Sequence, residues 1–396
     1  MAVLRLMKAV REYLVLVLAI CFTLVALIPV ASAKEPATPE ISLNQAISLA
    51  LDQSESVQKA AKDIDRTQAL RDYASDNVKF IPASSGSINN PITEITWNSF
   101  LTADLGWQAS KESLTASQDG LALDTCNKYW NVLNAQQQLQ TAQAAQKSAE
   151  LQLRKAQASY QVGLLAQGDL LAAQAGSDGA QAQLAKAQND LNTAYIAFNQ
   201  QIGLWPEDRP VLTDAVTYEP LKIDDLDHEV NVVLESAPLV LEADQLVALK
   251  QYQENITLQA GSLPGASNVY KPYEARQIEV QQAQLDASST RKALELLTRN
   301  LYYNVESLEQ AYAGAQASAK AADESLRVTK IKFDVGLVTA SEVAAAEKVE
   351  AAAQAVLVNY AAQHAYLKLA FAKPWAYLSA SQQNASSSSS KSASGQ

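Results

Sequence analysis

Tyr160-Gln161-Val162-Gly163-Leu164-Leu165-Ala166-Gln167-Gly168-Asp169-Leu170 is the stretch whose reading decides the fold. It returns 173 residues later as Phe333-Asp334-Val335-Gly336-Leu337-Val338-Thr339-Ala340-Ser341-Glu342-Val343, and Arg154 and Arg327 keep the same offset. Each copy lies between two long segments of helical apolar periodicity, so Val-Gly-Leu reads as a sharp stop. Glycine can take the left-handed conformation that ends a helix, because no β-carbon resists it. Asp169 or Glu342 then falls in the first turn of the next helix, where the helix dipole favours a carboxylate. Each copy is therefore predicted to be the tip of two long antiparallel helices, and the chain is an internal duplication.

The flanking segments carry a heptad seam. Before the first tip, Val132, Ala135, Leu139, Ala142, Gln146, Ala149, Leu153, Ala156 and Tyr160 alternate steps of three and four. After it, Leu170, Ala173, Ser177, Ala180, Leu184, Ala187, Leu191, Ala194 and Phe198 do the same. Large residues facing small ones let two helices approach closely, as in a coiled coil. The second repeat shows the seam through Val305, Leu308, Tyr312, Ala315, Ala319, Ala322, Leu326 and Phe333, with Thr329 the one polar step. The helices before the tips are predicted to run about 50 residues, roughly 75 Å at 1.5 Å per residue.

Composition agrees. Only 18% of the 396 residues are charged, with 13 Gly and 12 Pro, a profile of long helices rather than of a mixed α/β enzyme. The formal charge of -11 argues against a nucleic-acid partner. At the N-terminus, Arg5, Lys8 and Arg11 precede an apolar run from Tyr13 to Val30, and Ala31-Ser32-Ala33 offers small residues for cleavage. Residues 1–33 are expected to be a signal peptide, leaving a mature charge of about -13. An uncleaved anchor is the alternative, since the run is long for a signal core; a lipoprotein reading at Cys21 is weaker. Once Cys21 is removed, Cys126 stands alone and no intrachain disulfide is available.

The expected order is a lead-in over 34–40, a first repeat over 41–205, a linker over 206–222, a second repeat over 223–376 and a Ser-rich disordered tail over 377–396. Ser42 is predicted to cap a helix running toward Ala74. Its segment Leu51 to Val57 has a counterpart in Leu234 to Val240 at an offset of 183, so the second repeat has lost ten residues before its tip. The loss falls on an insert. In the first repeat, at about 78–108, breakers (Pro82, Gly86, Asn90, Pro91) lead into Glu94 to Gln108. There Ile95, Trp97, Leu101, Ala103, Leu105 and Trp107 alternate onto one face, which predicts a strand. Trp97 and Trp107 bracket it as candidate membrane-interface aromatics, because a tilted spanning strand needs about 9–11 residues with aromatics at both interfaces. An ordinary half-buried strand or loop reads the same pattern. In the second repeat, about 255–272, nothing alternates.

Tyr129-Trp130-Asn131-Val132-Leu133-Asn134-Ala135, the two tips from Tyr160 to Leu171 and from Phe333 to Val343, and Ile202-Gly203-Leu204 at the end of the first repeat together resemble the TolC-type outer-membrane efflux family. The resemblance covers about Ile41 to Trp375. It implies a mainly α fold in which three protomers form a tube: a periplasmic α-barrel of hairpin helices, and an outer-membrane barrel of short β-inserts. It also implies a passive conduit for efflux or type I secretion, whose tips meet a periplasmic adaptor fed by an inner-membrane pump. Carried over by position, Arg154, Val162, Gly163, Leu164, Arg327, Val335, Gly336 and Leu337 lie on the adaptor-docking tips, and Asp169 and Glu342 near the pore constriction. Two departures stand out. The second carboxylate that the family places three residues beyond Glu342 is Ala345 here, and the inserts are too reduced to supply a full barrel.

Three functions follow: the trimeric conduit; an envelope-associated helical scaffold of the same ancestry that binds a partner without forming a pore; and an enzyme. The enzyme is the weakest, because His228 and His364 are the only histidines and no Gly-rich phosphate loop, Cys/His cluster or nucleophile elbow occurs. No cofactor or metal is expected. Plainer roles also fit single residues: Asp169 and Glu342 as helix-end carboxylates, Arg154 and Arg327 as solvated charges, His364 as a packed seam residue.

Overall fold

The computed structural model describes residues 35–78, 91–260 and 273–378. The expected signal peptide, residues 79–90 and 261–272 of the two inserts, and the tail beyond 378 lie outside the described residues. The helices are α1 (Leu43–Gln53), α2 (Glu55–Asp76), α3 (Pro91–Gln161), α4 (Gln167–Ile202), α5 (Leu226–Ser236), α6 (Pro238–Ala260), α7 (Tyr273–Asp334) and α8 (Ala340–Ala372). Two-residue strands β1 (Glu40–Ile41) and β2 (Val211–Leu212) pair in parallel. The mainly α fold of tandem hairpins is the fold observed.

Both repeats begin alike, 183 residues apart. Ser42 Oγ accepts the Gln45 N–H at 3.3 Å and Gln45 Oε1 accepts the Ser42 N–H at 3.0 Å, a reciprocal box that satisfies two free helix-end donors. Asp225 does the same work for α5, accepting from the Asp227 and His228 N–H groups. The helix expected from Ser42 toward Ala74 is broken once, at Ser54, which is extended and caps α2 through its hydroxyl. Ala237, at the same offset, is extended too, and Pro238 follows it as the first residue of α6. Proline has no N–H to leave unpaired there.

The strand expected over Glu94 to Gln108 is not there: α3 already runs from Pro91. Leu101, Asp104, Leu105 and Gln108 line a groove against Gln245, Ala248, Leu249 and Tyr252 of α6. Their spacing is helical, so the stretch fits both periods, and packing against α2 and α6 selects the helix. Thr67 and Ser110 meet by their hydroxyls at 2.9 Å, and Arg71 Nε donates to Asp104 at 2.5 Å. α3 therefore reaches 71 residues and α7 62, or roughly 105 and 95 Å, well beyond the expected 50 residues.

Within the unit from Thr38 onward, the helices form an open row. Toward the tips its order is α4–α3–α8–α7, and at the other end α2–α3–α6–α7. α3 is interior throughout and α7 is an edge throughout. The large side chains gather at the waist, in two clusters related by the repeat. Leu121, Tyr129, Phe198 and Ala50 belong to the first; Leu294, Phe371 and Val233 to the second. Tyr129, fully buried, donates to the Ile41 carbonyl (3.2 Å) and accepts the Asp214 N–H (3.0 Å), stitching lead-in and linker to α3. Asn199 Nδ2 reaches the carbonyls of Trp205, Pro206 and Asp208 and shapes the turn into the linker. Burial pushes the Cys126 thiol up to about 12, so it packs as an inert small hydrophobe. Residues 374–378 add one helical turn at the expected edge of the tail, where Trp375 Nε1 donates to Asp119 at 2.9 Å.

Candidate functional site

The two tips have one backbone geometry. Gly163 and Gly336 sit at φ 77° and 74°, the left-handed region. At the first, the Leu164 N–H reaches the Ser159 carbonyl (2.9 Å) and the Gly163 N–H the Tyr160 carbonyl (3.0 Å). At the second, Leu337 reaches Lys332 (2.8 Å) and Gly336 reaches Phe333 (2.9 Å). These paired bonds close the last turn and satisfy carbonyls that a helix end leaves free. The chain then turns straight into α4 or α8. This geometry turns the side chains beside each glycine outward: Val162 is 69% exposed, Leu164 81%, Val335 64% and Leu337 75%. Such a group of apolar residues at the end of a slender hairpin marks an interaction surface.

The carboxylates behave differently at the two tips. Glu342 accepts from the Thr339 N–H at 2.7 Å and from its hydroxyl at 2.9 Å. These bonds, with the positive charge of Lys155 from α3, hold Glu342 below the usual carboxylate range. It is a helix-end carboxylate, and the Thr-x-x-Glu pattern that announces such a cap was legible in the sequence but missed. At the first tip Ala166 has no hydrogen-bonding side chain to cap the helix, and Asp169 only lies in the first turn of α4. The arginines differ too. Arg327 grips Glu324 with two bonds of 2.7 Å, which lowers the acid and raises the base. The residue matching Glu324 in the first repeat is Leu151, and Arg154 is exposed with no acid paired to it among the described residues.

Trp97 and Trp107 are not the two ends of a strand; both lie on α3. Trp97 packs on Phe100 with ring centroids 5.4 Å apart. Trp107 is covered by Lys111 (3.3 Å) and Arg71 (4.8 Å), and its buried Nε1 finds no acceptor. His364 is buried on α8, its Nε2 3.1 Å from Glu309 Oε1, beside Tyr218 of the linker. Among the described residues no group of acidic, His or Cys side chains is arranged to hold a metal, and no helix is long and apolar enough to cross a membrane. The latter says nothing of a β-barrel.

Set against solved structures, the row of long helices has close counterparts. The Campylobacter jejuni CmeC outer membrane channel aligns over 85% of this chain and 86% of its own, with TM-score 0.61 at 14% identity. The fold is that of the TolC-type outer-membrane channels. VceC, an outer membrane protein of Vibrio cholerae (84% and 95% covered, TM-score 0.56, 15% identity), and the Neisseria gonorrhoeae MtrE outer membrane channel in its open state (85% and 88%, 0.56, 16%) share it. Residues 103–204, which hold the first tip of this TolC-type fold, match the family model described as outer membrane efflux protein. No curated protein matches the chain by sequence.

Proposed function

We propose that this chain is the outer-membrane component of an efflux or type I secretion system: a homotrimeric, passive conduit that docks through its two tips onto a periplasmic adaptor served by an inner-membrane pump. The observation that carries this is the pair of tips, two identical glycine-capped turns presenting exposed valine and leucine at one end of the TolC-type fold. No bond is made or broken on the chain's account; its contribution is a bore and a docking surface. In this reading Asp169 and Glu342 stand near the narrow end of the bore.

Self-association is supported by α7. Val280, Ala283, Ala287, Leu294, Leu301 and Val305 form its buried face, while Ile278, Leu285, Leu296 and Tyr303, spaced by 7, 11 and 7 residues, lie exposed on the opposite side. A surface helix needs one apolar face; a helix with two needs a neighbour on each side. Copies of this chain, joined edge to edge, supply the missing one and close the row into a tube.

The helix found over 95–108 favours a second reading, a scaffold that binds an envelope partner without a pore, because it removes the one strand that the sequence offered for a barrel. Envelope fractionation with alkaline carbonate washing separates the two. Retention with the outer membrane upholds the conduit, whereas release into the wash upholds the scaffold.

A further inference from the structure

The tips share a backbone but not a surface; Gln161 becomes Asp334 and Lys155 becomes Val328, but the four residues just before Gln161 change together in one direction. At the matching offset of 173, Gln157 becomes Lys330, Ala158 becomes Ile331, Ser159 becomes Lys332 and Tyr160 becomes Phe333. Each change adds either positive charge or apolar surface to the second tip. Ile331, Phe333, Val335 and Leu337 are all exposed there. Lys330 and Lys332 have no acid paired to them among the described residues, since Glu324 is taken by Arg327 and Glu342 by Thr339. At the first tip the apolar group is Tyr160, Val162 and Leu164, and the cations are Arg154 and Lys155, about 13 and 12 Å back along α3 from Gly163, farther from the turn than Lys330 and Lys332 are from Gly336.

We infer that the second tip is the dominant docking element, and that it takes a protein surface offering an apolar pocket rimmed by carboxylates. The inference rests on the tip-docking reading above. Binding energy concentrates where apolar side chains are fully desolvated at the centre of a contact, and rim charges add specificity and association rate. Leu337 and Phe333 supply the centre, Lys330 and Lys332 the rim. The first tip, with the same Val-Gly-Leu turn but no charged residue over 156–163, is subordinate. A protein partner fits better than an anionic lipid surface, because Asp323, Asp334 and Glu342 stand among these lysines and repel a continuous negative sheet while leaving room for single opposed carboxylates.

The test places a photoreactive benzoylphenylalanine at Leu337, or at Leu164, in the full-length protein in its own envelope. Light-dependent adducts are then measured with and without K330E/K332E, and with and without the matched pair Q157E/S159E. The expected result is a protein adduct at 337 whose contact peptide contains Asp or Glu. Its yield should fall on the order of tenfold with K330E/K332E, as opposed charges become like charges; Q157E/S159E should change the 164 adduct by no more than about twofold. Equal losses at the two tips, or a 337 adduct that ignores K330E/K332E, would overturn the inference while leaving tip docking in place. Adducts to lipid, together with binding of the purified protein to phosphatidylglycerol vesicles, would overturn it in favour of a membrane surface. Absence of any protein adduct at both positions would bring down tip docking and the inference with it.

Discussion

Gly203 and Gly163 share a left-handed backbone but not an environment. A β-carbon on Gly163 would meet open space, whereas one on Gly203 would come within 2.7 Å of Gln53 Cγ. Gly163→Ala should cost only the backbone term, about 1 kcal/mol. Gly203→Ala should cost more, because the Gln53 side chain must also give way, and chemical unfolding of the two variants side by side will show the order. Glu342 allows a second residue-scale prediction. Its folded-state pKa is lowered, so the stability it contributes is present above the ordinary carboxylate range and is lost as pH falls through the depressed value. Glu342→Gln should therefore be less stable than the parent at neutral pH and converge with it in acid, as read by melting temperature between pH 3 and 7.

At the scale of elements, the C-terminal end of the linker between the repeats is pinned by a carboxylate of α7. Glu309 Oε1 on α7 accepts the Leu221 N–H at 2.6 Å and lies 3.1 Å from His364 Nε2 on α8. Tyr218 stacks on Tyr312 at 3.8 Å just before it. Hydrogen bonds to charged groups are worth about 1.5–3 kcal/mol. Glu309→Ala should thus destabilise by about 2 kcal/mol and open residues 206–222 to limited proteolysis, while Glu309→Gln, which keeps an acceptor oxygen, should do so less. The length of α3 belongs to this scale as well. Period two and period 3.6 coexist over 94–108, and only the groove against α6 and the Arg71–Asp104 pair decide between them.

At the scale of the molecule, the open row leaves two edges, α7 throughout and α2 or α4 opposite it. Leu70 and Tyr73 are exposed on α2, as Leu171 and Ile196 are on α4. If copies join edge to edge, Leu285→Glu together with Leu296→Glu should leave helix content unchanged and convert the assembly to monomer in sedimentation analysis of the detergent-extracted or soluble protein. An unchanged mass would remove α7 from the interface. At the tips, replacing Gly163 and Gly336 by valine should abolish export function with helix content nearly intact, checked by accumulation of exported compounds in cells that rely on this chain.

The sequence by itself determined the duplication, the hairpin tips and the seams, because these rest on local chemistry: a glycine at positive φ, steps of three and four, and capping side chains beside their helices. The apolar exposure of Val162, Leu164, Val335 and Leu337 followed from the same turns. The tertiary structure alone decided what depends on neighbours distant in sequence. The helix over 95–108 is one such feature, since α2 and α6 select it. The Glu342–Thr339 and Arg327–Glu324 bonds, each between residues three apart, belong instead with the local features. The other feature set by distant neighbours is the second apolar face of α7. That face is invisible as a separate feature in a heptad pattern, because only the packed row shows which side of the helix is already covered.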